Sequence, residues 1–402
     1  MSLSPPRSTR ASLRVLIVLA VAQIIGWGSV GLTAVVAPLV ATDLGMDLAA
    51  VFAGNSILYA TMGLSAPILG RAFVLYGART VMIAGSALAG PGFVGLALAA
   101  GSVSYCAAWI VLGVAGSATL TNAANILLNE IAGRGARRAI AALMLVTGLS
   151  SSLFWPTTAF LTGLGGWRAT CLVYAGAMWV LCLPLYRWGI PPRARYADGS
   201  EPAPEPPQSP PRSSTFWLIA CGLTLNAFVT FGLNATLIAL LVAEGLSRPD
   251  AVGYGAMLGI VQVGARGIDF LGGGRWDGLT SGLFAGILVV TALLLLAAGG
   301  ETPGAVMIFI LIYGLGSGVL AVVRATLPLA FYDRAAYACA ASRIALPLNL
   351  VTAAAPPVLA IVLTTFGREA VLLLTAGCVS VATALFLALT RRRPAAPQPL
   401  TA

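Results

Sequence analysis

The chain of 402 residues is 58% hydrophobic and 9% charged, with a mean hydropathy of +0.93. A soluble globular domain carries roughly 25% charged residues, so an ordinary soluble fold is excluded. The net charge of +10 comes from 23 basic residues, all arginine, against 13 acids, and there is no histidine, which rules out histidine proton relays and histidine metal sites.

A bilayer core requires about 20 consecutive, mainly apolar residues per helix, and such runs follow one another along the sequence. They lie at about 13 to 41, 49 to 70, 80 to 100, 104 to 128, 140 to 163 and 170 to 187. A second set lies at about 215 to 242, 251 to 272, 279 to 299, 303 to 331, 342 to 366 and 370 to 390. The runs are too long and continuous for barrel strands, whose apolar residues alternate, so helices are predicted. The first, Leu13 to Val40, is too long for the core of a signal peptide and reads as a retained helix. Between the sets, Trp188 to Ser214 holds eight prolines among charges and reads as an extended linker. The expected class is an all-α integral membrane protein of twelve transmembrane helices in two bundles. Residues 1–187 form the first six-helix bundle, 188–214 a Pro-rich cytoplasmic linker and 215–402 the second six-helix bundle.

Positive charge is retained on the cytoplasmic side of a membrane protein. With both termini inside, 18 arginines fall in cytoplasmic segments and only Arg168, Arg248 and Arg368 in external loops, leaving Arg266 and Arg324 inside spans. This distribution accounts for the basic balance without nucleic acid. The six cysteines, Cys106, Cys171, Cys182, Cys221, Cys339 and Cys378, are scattered in apolar segments without paired spacing and read as packing residues. Gly26-Trp27-Gly28-Ser29-Val30-Gly31 matches a dinucleotide fingerprint by letter, but it follows no strand and lies in a predicted membrane helix. These glycines, with Gly314, Gly316 and Gly318, are expected to allow close helix contact. Nothing in the sequence resembles a phosphate loop, a nucleophile elbow or a catalytic carboxylate pair.

The loop after the second helix, Gly70 to Arg79, reads GRAFVLYGAR, and that after the eighth, from Ala265, reads ARGIDFLGGGR. Two six-helix halves joined by a linker, with these loops, resemble the major facilitator superfamily, whose loop pattern is Gly-x-x-x-Asp-Arg-x-Gly-Arg-Arg. Gly70, Gly77 and Arg79 are kept, but Val74 stands in the place of the acid; in the second half Asp269 and Gly272 fall at the acid and glycine spacing. The resemblance implies a tight turn plus charges that latch an inner gate, making Asp269 a gate candidate with Arg137 or Arg138 as partners. The alternative is local pairing of Arg266 with Asp269, three apart on one helix. Trp155 precedes Pro156, so the glycine-proline run of the superfamily's proton-driven drug exporters is absent. Phe154-Trp155-Pro156, Gly166-Trp167-Arg168 and the segment Arg324 to Leu329 resemble bacterial members near the monocarboxylate and oxalate/formate branch.

In that fold the first, fourth, seventh and tenth helices line the central cavity, and each carries a polar stripe at helical spacing. The candidates for substrate binding are Gln23 and Trp27; Asn125 in a series with Ser117, Thr121 and Asn129; Asn226 and Thr230 with Asn234; and Tyr313, Ser317 and Arg324. Each stripe also suits hydrogen bonding between helices. Arg324 is the sharpest of them: a guanidinium in a span costs about 2.5 to 3.5 kcal/mol on insertion scales and faces water or a partner. A cavity cation suits an anionic substrate, whereas an arginine near a helix end can also snorkel to the headgroups. The resemblance thus implies a monomeric, cofactor-free secondary transporter in a bacterial inner membrane, not an enzyme, acting on a small solute, and Arg324 points to an organic anion. Efflux of a lipophilic drug-like compound, or a transport-inactive sensor or scaffold, are the alternatives.

Overall fold

The computed structural model describes residues 7–132, 135–192, 214–272, 277–299 and 302–392. Most of the expected linker, including Asp198 to Ser209, lies outside the described residues. Among the described residues the regular structure is helical and there is no strand. Among the described residues nine stretches are long and apolar enough to cross a membrane. Two of them, of 54 and 55 residues, far exceed one crossing. Each is broken by a glycine at positive φ: Gly166 at 77° in Ser150–Ala177 and Gly367 at 82° in Arg334–Thr390. Only glycine enters that region freely, so both breaks are written in the sequence.

The helices form two compact units by contact: Met1–Gln208 with Arg334–Ala354, and Ser209–Asp333 with Ala355–Ala402. The first contains α1 (Arg7–Val30), α2 (Thr33–Leu44), α3 (Leu48–Tyr76), α4 (Ala78–Ala97), α5 (Ser102–Thr119), α6 (Thr121–Ala132), α7 (Ala136–Thr147) and α8 (Ser150–Ala177), which continues through π-helical turns at Met178–Cys182 and Leu185–Gly189. In it α5 packs on α3 and α4, and α8 on α1, α2 and α4. The second contains α9 (Ser214–Ala243), α10 (Arg248–Leu271), α11 (Gly278–Gly299) and α12 (Pro303–Thr326), with α12 packed against α9, α10 and α11. The helix α13 (Arg334–Thr390) begins in the first unit and ends in the second. The glycines expected at close contacts are found there. A Cβ on Gly28 would fall 2.1 Å from the Phe154 ring, and one on Gly318 would fall 2.6 Å from the Gln262 carbonyl oxygen.

Each unit fastens an acid at the end of its first apolar span to an arginine just after its glycine break. In the first, Arg168 bonds Asp43 at 2.9 Å and donates to the Ala97 carbonyl, while the Trp167 indole N–H donates to the same carboxylate. In the second, Arg368 bonds Glu244 at 2.7 Å. Asp43 is about half exposed, whereas Glu244 retains only 2% of its side-chain exposure. Solvent screens the first pair; the second holds a carboxylate that has lost its water. Arg368→Leu is therefore expected to lower the thermal midpoint of purified protein much more than Arg168→Leu does. The underlying losses are about 3 kcal/mol against less than about 1 kcal/mol, and differential scanning fluorimetry in one detergent measures the order.

Candidate functional site

Polar side chains in an apolar bundle must find partners, and the predicted stripes show where they find them. In the first unit Gln23, fully buried on α1, donates its amide N–H to the Thr119 carbonyl at 2.7 Å, where α5 stops at the extended residue Leu120 and α6 begins. One turn further along, the Trp27 indole donates to the Thr121 hydroxyl at 2.9 Å, and its ring lies 6.3 Å from that of Tyr59. Ser117 donates to the Met62 carbonyl. Asn125 is buried with its amide oxygen lacking a hydrogen-bond partner among the described residues, as is the oxygen of Gln23. The break between α5 and α6 thus brings Gln23, Trp27 and Thr121 into one neutral, hydrogen-bonding region, with Asn125 one turn further along α6.

The second unit is different in charge. Asn226 donates to the Gly222 carbonyl and Thr230 to the Asn226 carbonyl, both bonds within their own helix, and the buried Asn226 amide oxygen has no hydrogen-bond partner among the described residues. Ser317 donates to the Tyr313 carbonyl at 2.7 Å and accepts from the Gln262 amide at 2.9 Å, tying α12 to α10. Tyr313 is fully buried and stacked on Phe309 at 5.2 Å, with its hydroxyl unpartnered. The Arg324 guanidinium sits 5.1 Å above the Phe231 ring, and its Nη1 is buried without a hydrogen-bond partner among the described residues. Tyr313 and Arg266 both lie within Coulombic range of it. A guanidinium on an aromatic face keeps its edge donors available, because the ring takes up the face and not the N–H groups.

Two members of this group escaped the sequence reading. Gln262 had a signal, as an amide in the middle of an apolar run. Phe231 had none, since a phenylalanine in an apolar span reads as packing.

The loop residues divide in the same way. Gly77, with φ of 77°, makes the turn from α3 into α4, and the Glu130 carboxylate accepts from the Ala78 N–H at that helix start. Glu130 thereby places an anion at the positive end of a helix in a loop that lacks its acid at Val74. Arg79 donates to the Arg187 carbonyl. Gly70 faces Ser342, whose Cβ would lie 2.7 Å from a Cβ at position 70. Arg137 and Arg138 stand at the start of α7 in the first unit. In the second, Asp269 is buried on α10 with the Ser281 hydroxyl donating to it at 3.2 Å, Arg266 lies one turn before it, and Gly272 ends the helix in ordinary helical geometry.

The family model of the Major Facilitator Superfamily matches residues 19–342. No curated protein matches by sequence. Among solved structures, the human organic anion transporter MFSD10 (TETRAN) aligns with a TM-score of 0.70 at 16% identity, covering 95% of this chain and 100% of that one. The proton:xylose symporter XylE aligns at 0.68 and 13% identity, covering 96% and 97%. The E. coli fucose:proton symporter FucP aligns at 0.68 and 11%, covering 93% and 97%. These likenesses show a shared fold. With a family match over most of its length, an all-helical apolar architecture and polar groups gathered inside each unit, the chain belongs to the Major Facilitator Superfamily and is a multi-pass membrane transporter.

Proposed function

We propose that the protein is a secondary transporter of a small organic anion, working by alternating access as a monomer, with Arg324 as the anion-binding group. The observation that carries this reading is a guanidinium inside an apolar bundle, stacked on Phe231, with a buried N–H lacking an acceptor among the described residues. Such a group is costly in a membrane protein unless something polar meets it. A carboxylate would take its planar donor fork with two parallel hydrogen bonds. The Tyr313 hydroxyl and the Asn226 amide oxygen, both without partners, supply neutral hydrogen-bonding capacity in the same unit. MFSD10, one of the structural neighbours, is itself described as an organic anion transporter, which accords with this reading. Twelve crossings follow when the breaks at Gly166 and Gly367 are taken as reversals and α10 as a span.

The test begins with a thermal-shift screen of mono- and dicarboxylates of two to four carbons on purified protein. Uptake of the best stabiliser into proteoliposomes follows. Arg324→Lys is expected to transport the same anion with apparent affinity weakened about tenfold or more, because the charge stays and the fork is lost. Arg324→Ala is expected to be nearly inactive, with expression of both variants unchanged. Equal affinity in the wild type and Arg324→Lys would defeat the anion reading and leave drug-like efflux to be tested with ethidium.

The placement of both termini and the linker in the cytoplasm of a bacterial cell belongs to the same proposal and rests on the arginine distribution. A single cysteine at Ser209, in a cysteine-free background, should resist an impermeant maleimide in right-side-out vesicles and react in inverted ones. The reverse pattern would refute the orientation.

A further inference from the structure

The continuation of α8 ends in the π-helical turn Leu185–Gly189, and the chain leaves it in an extended conformation at Ile190. The carbonyls of a last helical turn have no donor of their own. Two arginines from elsewhere in the first unit supply one each: Arg14 of α1 donates to the Trp188 carbonyl at 3.0 Å, and Arg79 of α4 donates to the Arg187 carbonyl. The two carbonyls are consecutive, so both guanidiniums are held at one helix end. Gly189 permits the approach of α1, since a Cβ there would fall 2.7 Å from the Val18 side chain. Arg187 adds a third, exposed arginine on the same turn.

Capping alone does not account for this cluster. The negative end of a helix carries roughly half an elementary charge, whereas each guanidinium carries a full one. Among the described residues no ion pair joins any of the three to an acid, and Glu130 at the start of α4 takes the Ala78 N–H with both carboxylate oxygens. A guanidinium has five N–H donors, of which a carbonyl takes up one, and the Arg79 Nε is buried without a hydrogen-bond partner among the described residues. Positive charge and donors are thus left over at the rim of an apolar bundle. The surface beside them is apolar. Leu13, Ile17 and Val21 are exposed at four-residue spacing along α1, in one stripe that begins next to Arg14. Leu13, Arg14, Ile17 and Val18 line an open groove there. Trp188, on the same turn as Arg187, is exposed, and tryptophan collects at the boundary between headgroups and acyl chains.

From these observations we infer that this end of the first unit is a binding site for an anionic phospholipid, its phosphate held by Arg14, Arg79 and Arg187 and one acyl chain lying in the groove along Leu13 and Ile17. An inorganic anion would use the charge and leave the groove empty, and a neutral lipid would do the reverse; an anionic lipid uses both. Arginine takes a phosphate with two parallel N–H···O bonds, and basic pockets between membrane helices recognise such headgroups. The lipid offsets the surplus charge and ties α1, α4 and α8 together. Its retention does not depend on which solute is carried.

Native mass spectrometry of the full chain in a mild detergent, with phosphatidylglycerol, phosphatidylcholine or inorganic phosphate added, tests the site. Phosphatidylcholine has the same phosphate but a cationic choline that the arginines repel, so phosphatidylglycerol of the same chains is expected to be retained about tenfold better. Excess inorganic phosphate should not displace it. Arg14→Gln and Arg79→Gln each keep an N–H for the helix carbonyl and lose the charge, and each should weaken retention about fivefold. Ile17→Trp, which fills the groove at an exposed position and touches no charge, should weaken it as well and decides the matter if an arginine variant fails to fold. Arg391→Gln, which removes an exposed charge just past α13, should leave retention unchanged. Equal retention of the two lipids, displacement by inorganic phosphate, an equal loss in Arg391→Gln, or no loss in Arg14→Gln or in Ile17→Trp overturns the inference. None of these outcomes bears on Arg324, so failure of the lipid site and failure of the anion reading are told apart.

Discussion

In an apolar medium a backbone carbonyl that loses its helical donor must find another, and in this chain side chains provide the replacement at several helix interruptions. Gln23 reaches the Thr119 carbonyl where α5 gives way to α6. Trp179 reaches the Ala87 carbonyl freed by Pro91, and Ser56 the Ala353 carbonyl freed by Pro357. At helix ends the donors are arginines: Arg168 on Ala97, Arg14 on Trp188 and Arg79 on Arg187. Interruption is what lets a bundle bend and gather polar groups. The positions of these donors therefore determine where the helices can break without leaving a polar group stranded in hydrocarbon.

The same constraint divides the polar stripes into two kinds. Thr230, Ser317 and Thr326 return their hydroxyls to carbonyls one turn back on their own helix, and Asn226 does so with its amide. Such hydroxyls carry no outward donor into the space beside them, although Asn226 keeps a second amide N–H and an amide oxygen that remains to accept. Arg324 cannot be silenced in this way, because a guanidinium has five N–H donors and no helix offers that many acceptors. Stacking on Phe231 quiets its face and leaves its edge to be met. The two units thus carry different chemistry in their interiors, neutral around Gln23 and Trp27 and cationic around Arg324.

Much of this was legible in the sequence because the bilayer imposes a long, unmistakable period on it. The apolar runs, the glycines at close contacts and the family all follow from residue type and spacing. Positions such as Asn125, Asn226, Tyr313 and Arg324 stood out because polar groups are conspicuous in apolar text. What could not be read is contact between segments distant in the chain. Ser56 and Ala353 are 297 residues apart, and neither is unusual where it stands. The prolines at 91 and 357 each orphan a carbonyl, and which side chain answers it depends on helix packing. Phe231 beneath Arg324 was invisible for the same reason, and Glu130 at the start of α4 replaced by a distant acid what the loop itself lacks at Val74.

The seat of Arg334–Ala354 on α3, where Gly63 and Gly70 face Leu346 and Ser342, bears on how the protein is built. A ribosome delivers α3 into the bilayer early, while its cover is among the last segments to be made. Throughout that interval the face bearing Gly63 and Gly70 has no side chain of its own and presents bare backbone to whatever lies alongside: lipid, an insertase or another nascent helix. The first unit begins at the start of the sequence but is complete only once Arg334–Ala354 has been made. Truncation late in the chain would thus leave a defect in the earliest helices, and quality control would meet it far from the lesion that caused it.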